Sequence, residues 1–142
     1  MTRVTVTQSE AETVALARQL GPTLAVGATI LLRGELGAGK TAFVRGLAEG
    51  MGLATDQVSS PTFTLIQEYR GALPLFHVDL YRISPGEADD LGLEELSGQG
   101  AVAIEWAEKL SRAPDGAIEV QIDDLGGDAR RVTIVTADAC VF

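Results

Sequence analysis

The chain has 142 residues, 46% hydrophobic and 22% charged, and its 20 acids against 11 bases leave a formal net charge of −9. A chain of this length buries about 68–70% of its unfolded surface, so its core needs neither metal nor disulfide, and the composition excludes general disorder. The acidic excess excludes a broad nucleic-acid-binding face, because it would repel a phosphate backbone. One cysteine, Cys140, and one histidine, His77, rule out an internal disulfide and speak against a structural zinc site.

Residues 3–7, RVTVT, alternate and are β-branched, which predicts a first strand. Ser9 and Glu12 have capping-box spacing and open a helix to about Leu20, with Ala11, Val14, Ala15 and Leu20 as apolar positions. Gly21 and Pro22 end it. Residues 28–34, ATILLRG, form a continuous apolar run before glycines, the pattern of a buried parallel strand. A helix follows over 40–52, with Phe43, Val44 and Leu47 on its apolar side.

Residues 63–69 and 73–81 predict two strands joined by a turn near Gly71. Ser84, Pro85 and Glu87 mark another helix start, and residues 101–105, AVAIE, a short buried strand leading into WAEKL. Residues 117–123 and 130–136, separated by DLGGDA, predict a hairpin. No repeat or linker interrupts the chain, so one domain over 1–142 is expected. The fold class expected is α/β: a mainly parallel central sheet flanked by helices, with antiparallel additions. The first ten residues lack the apolar core of a secretory signal, and the longest apolar stretch falls short of the ~20 residues needed to span a bilayer. A soluble, cytoplasmic protein is the expectation.

Residues 34–41, GELGAGKT, fit G-x-x-x-x-G-K-[ST] in full, after a strand and opening a helix. Gly34, Gly37 and Gly39 allow turns that aim backbone N–H groups at phosphate oxygens, and the helix adds its positive end. Lys40, one of only two lysines, supplies a point charge for the β- and γ-phosphates. The Thr41 hydroxyl can ligate Mg2+. An accidental lysine in a glycine-rich turn is the bland alternative, and the strand–loop–helix context counts against it.

Such a loop needs a carboxylate at a strand end to hold Mg2+, often through water. Asp79 ends the run LPLFHVD and Glu105 ends AVAIE, on the edge where the loop lies; a solvated terminal acid is the less favoured reading of each. With both present, one can set the metal and the other position water. Thr62, within SSPTFT, is placed like a hydroxyl that senses the γ-phosphate, although a proline turn feeding a strand explains the stretch as well. Trp106, the only tryptophan, flanks the nucleotide or a partner surface, or simply packs in the core, which the residue alone favours. Tyr81 and Arg82 could face the site, while His77 reads as a sheet residue rather than a catalyst. No N-K-x-D guanine-reading motif is present, which favours ATP over GTP. A small-molecule kinase on the same loop is the alternative, weakened by the lack of an arginine-rich lid segment.

Taken together, GELGAGKT, SPTFTL, HVDLYR and IEWAEKL resemble the TsaE (YjeE) family, in order from about residue 30 to 110. The first motif is common to many families; the other three are much more specific as a set. The resemblance implies a P-loop α/β fold and binding of Mg-ATP along Leu36, Gly37, Ala38, Gly39, Lys40 and Thr41. It implies site roles for Thr62, Asp79 and Glu105, with Mg2+ near Thr41 and Glu105, and Trp106 beside the nucleotide. It also implies a weak ATPase that serves threonylcarbamoyladenosine modification of tRNA through a TsaB–TsaD complex, the complex and not this chain holding the tRNA. Residues beyond 112 match only loosely.

Overall fold

The computed structural model describes residues 1–35, 37–55, 65–112 and 114–136. Strand β1 (Thr2–Thr7) leads to helix α1 (Glu10–Leu20), capped by the Ser9 hydroxyl, which accepts from the Glu12 N–H at 3.1 Å. The other half of that capping box departs from expectation. The Glu12 carboxylate accepts from the Gln8 N–H at 3.0 Å, one residue before the cap. The buried stripe also differs, running through Thr13, Val14, Leu16, Ala17 and Leu20 while Ala11 is exposed. Thr13 takes a core position because its hydroxyl is satisfied there, 2.7 Å from the Thr7 hydroxyl.

Strand β2 (Thr29–Arg33) runs into the glycine loop and then α2 (Lys40–Gly50), whose Phe43, Val44 and Leu47 are fully buried. Each such side chain contributes roughly 1.5–3 kcal/mol by leaving water. Helices α1 and α2 lie in close contact through Gly46. A Cβ there would come within 2.5 Å of the Val14 carbonyl oxygen and 2.7 Å of the Ala17 Cβ. Strands β3 (Ile66–Tyr69) and β4 (Leu75–Asp79) are shorter than predicted, and residues 63 and 64 lie outside the described residues. Helix α3 (Pro85–Asp89) has the complete predicted box, with Ser84 and Glu87 bonded reciprocally. Helix α4 (Leu93–Ser97) was not legible beforehand; it starts at Gly92 in a left-handed conformation without a side-chain cap. Strand β5 (Ala101–Glu105) is buried throughout, and β6 (Ile118–Gly126) with β7 (Ala129–Val135) makes the expected hairpin.

These strands form one sheet in the order β1-β7-β6-β2-β5-β4-β3. The four central strands, β6, β2, β5 and β4, are parallel neighbours, and antiparallel strands finish both sides. Alternation along the strands sends side chains to two cores. Ile30, Leu32 and Ala103 join α1 and α2 on one face, whereas Leu31, Val102 and Ile104 join Ala88 on the other. Parallel pairing brings Leu32, Glu105 and Asp79 level with one another, at the sheet edge from which the glycine loop leaves β2. The fold is therefore the expected α/β, P-loop NTPase-like one. Among the described residues, no helix is long and apolar enough to cross a membrane.

Candidate functional site

The site is built where β2 turns into α2. Gly39 caps α2 at φ 106°, a left-handed backbone that suits glycine, and offers no side-chain hydrogen bond. The first intrahelical bond falls from the Phe43 N–H to the Gly39 carbonyl. The amides of Lys40, Thr41 and Ala42 thus precede the helical ladder, and together with the helix dipole they suit an anion. A Cβ added at Gly37 or Gly39 would meet nothing within 4 Å, so the left-handed backbone rather than crowding asks for glycine there.

Lys40 is 4% exposed, and its ammonium donates to the Gly34 carbonyl at 2.8 Å while lying 4.2 Å from the centroid of the Trp106 ring. Trp106 has φ 62°, the only positive value outside glycine among the described residues. Such a conformation costs about 1–3 kcal/mol and persists only where the surroundings impose it. Here the ring also packs on Tyr81, centroids 5.0 Å apart. Lys109, the second lysine, fixes that turn by donating to the Tyr81 and Ile83 carbonyls.

Glu105 is 4% exposed, and its Oε2 accepts from the Thr41 hydroxyl at 3.3 Å and from His77 Nε2 at 2.5 Å. Asp79 pairs with Glu105 across the two strands and is half-buried; its Oδ1 accepts from the Tyr81 N–H at 3.0 Å. Tyr69, buried at the end of β3, has its phenol pushed up from 10.0, mainly by burial. The nearby Arg45 charge opposes that shift and the Glu105 charge adds to it.

The structure thus brings together Gly37, Ala38, Gly39, Lys40, Thr41, Glu105 and Trp106, with Asp79 beside them. Leu36 and Thr62 lie outside the described residues. Arg82 is exposed. Two participants were missed. His77, read as a plain sheet residue, is a sheet residue that bonds Glu105; its period-2 spacing from Asp79, on the strand beside Glu105, was the available signal. Arg130 on β7 donates from Nε to the Ala38 carbonyl at 2.9 Å, reaching the glycine loop from 92 positions away, and no local pattern announces that.

The donor set suits Mg2+ shared with phosphate oxygens and waters. Among the described residues no group of three or more His, Cys, Asp or Glu could cage a metal, whereas Thr41 and Glu105 stand side by side at the helix start.

Comparison with known proteins agrees with this geometry. The family model described as "Threonylcarbamoyl adenosine biosynthesis protein TsaE" matches residues 7–132. A Bacillus subtilis protein named "tRNA threonylcarbamoyladenosine biosynthesis protein TsaE" is 44% identical over 125 residues, covering 86% of this chain and 78% of its own length. A Nostoc protein of the same name is 42% identical over 149 residues, covering 100% of this chain and 90% of its own. The crystal structure of YdiB from Bacillus subtilis is similar with a TM-score of 0.76 and 35% identity, over 97% of this chain and 87% of that one. The chain belongs to the TsaE family.

Proposed function

We propose that this protein is a Mg2+-dependent ATPase, slow in isolation, that serves threonylcarbamoyladenosine modification of tRNA by acting on a TsaB–TsaD complex. The observation that carries the reading is the strand–loop–helix turn with Lys40 and Thr41 in the first helical turn and the Glu105 carboxylate in contact with Thr41. The pathway follows from the names of the relatives. The net charge of −9 suits a protein that leaves RNA binding to its partner.

Phosphoryl transfer asks a protein mainly for positioning and charge stabilisation. The backbone of residues 36–41 would hold the phosphates, and Lys40 would exchange the Gly34 carbonyl for a phosphate oxygen. Thr41 and Glu105 would hold Mg2+, which when bound neutralises charge developing on the β- and γ-phosphates. Asp79 and Glu105 divide metal holding and water orientation between them, Thr62 senses the γ-phosphate, and Trp106 lies beside the nucleotide. The setting is cytoplasmic.

The test is ATP hydrolysis by the purified protein, alone and with a TsaB–TsaD complex plus tRNA. Slow turnover that rises strongly with the complex supports the reading. Brisk turnover alone, indifferent to the complex, would favour a kinase with a small-molecule acceptor.

A further inference from the structure

His77 is fully buried in the middle of a strand, yet it is the group that meets Glu105 most closely. Its neighbours explain the contact. On β4 it pairs with Ala103 of β5, and Ala103 and Glu105 share a face because strand side chains alternate. The imidazole therefore lies one pleat behind the carboxylate, below the start of α2. We propose that His77 is a positioning residue that fixes the rotamer of Glu105 and thereby sets the Mg2+ response of the nucleotide site.

Three observations carry this. The His77 and Thr41 contacts both fall on Oε2 of Glu105, which leaves Oε1 without a protein donor among the described residues. Two partners thus tether the same oxygen. Second, His77 Nδ1 is buried without a hydrogen-bond partner among the described residues, so the Glu105 contact through Nε2 is the one that orients the ring. Third, Glu105 is itself almost fully buried, and a glutamate side chain has three rotatable bonds; a rigid sheet neighbour removes that freedom. Outer partners of metal-holding carboxylates commonly change metal affinity or activity by roughly 10- to 100-fold when removed.

The proposal rests on the Mg-ATP reading of the site, and its test separates the two. ADP affinity is measured by calorimetry with Mg2+ and with EDTA, on wild type, His77→Leu, His77→Gln and His77→Asn, alongside thermal melts. In wild type Mg2+ should tighten ADP binding. His77→Leu should lose roughly 10- to 100-fold of that Mg2+ effect while its metal-free affinity stays within about twofold. Gln places its amide near the Nε2 position and should restore the response; Asn places its amide near Nδ1 and should not. Should His77→Leu fail to fold, the Gln and Asn pair decides alone. Equal Mg2+ responses in those two, or a wild-type response in folded His77→Leu, would overturn the positioning role. A wild type whose ADP affinity ignores Mg2+ would overturn the Mg-ATP reading along with it.

Discussion

The Lys40 ammonium lies between the Gly34 carbonyl, at 2.8 Å, and the face of the Trp106 ring, 4.2 Å from its centroid. A neutral carbonyl and a π face offer a buried ammonium no opposite charge, and a phosphate oxygen adds that full Coulombic attraction. The loop therefore keeps its lysine desolvated and close at hand, and among the described residues no carboxylate pairs with it.

Because Trp106 is the only tryptophan, its fluorescence reports on that arrangement directly. Adding Mg-ATP or ADP should change the emission as Lys40 leaves the ring. Lys40→Ala should lose about 2–3 kcal/mol of nucleotide affinity, roughly 30- to 150-fold, and with it the fluorescence response. Calorimetric affinity equal to wild type would remove Lys40 from the site.

Asp79 and Glu105 should behave differently from Lys40. They are cross-strand partners, Glu105 buried against Thr41 and Asp79 half-exposed with one oxygen given to the Tyr81 N–H. Asp79→Ala should keep much of the ATP affinity, whereas Glu105→Ala should keep much of the metal-free affinity and lose the part that Mg2+ adds. Both should lose hydrolysis, by at least about 100-fold if each orients a group needed in the transition state. Single-turnover rates in the presence of the TsaB–TsaD complex decide this, and preserved turnover in either variant would take that acid out of the mechanism.

Arg130 offers a test of the loop from outside it. Its guanidinium donates to the Ala38 carbonyl and also to the Gly127 and Ala129 carbonyls and the Asp124 carboxylate, so one side chain ties the β6–β7 hairpin to the phosphate loop. Arg130→Ala should weaken nucleotide binding about tenfold, the scale of one lost charge-assisted hydrogen bond, in a protein that still folds. Lysine should restore little, because it lacks the planar fork that reaches several acceptors together. Undiminished affinity in folded Arg130→Ala would show that the loop holds its shape unaided.

Arg130 and His77 also show where sequence reading stops. The glycine loop was legible because its motif is local: eight consecutive residues specify strand exit, backbone cradle, lysine and hydroxyl. The acids at 79 and 105 were legible because each ends an apolar run, and parallel strands end together. What links those parts is long-range. Arg130 reaches Ala38 through the pairing of β7 with β6 and of β6 with β2, a register that no window of the sequence encodes. Thr13 was missed for a related reason, since a polar side chain enters a core only when a distant partner, here Thr7, satisfies it. Helix α4 was missed because its five residues are too few to show a period.

Tyr69 ties stability to pH. Its phenol is pushed up from 10.0 chiefly by burial, with Glu105 adding to the shift and Arg45 reducing it. The unfolded chain ionises near 10, before the folded protein does, so the whole contribution is present below that pH. As pH climbs past about 10 the unfolded state gains from losing the proton while the folded state resists, and stability falls until the raised folded pKa is passed. Urea midpoints at about pH 9 and pH 11 should therefore differ more in wild type than in Tyr69→Phe, where the phenol is gone. Glu105→Gln removes the charge that adds to the shift, and should narrow the wild-type difference without abolishing it, because burial remains. Parallel pH dependence in wild type and Tyr69→Phe would mean that the phenol ionises as freely in the folded protein as in the unfolded chain.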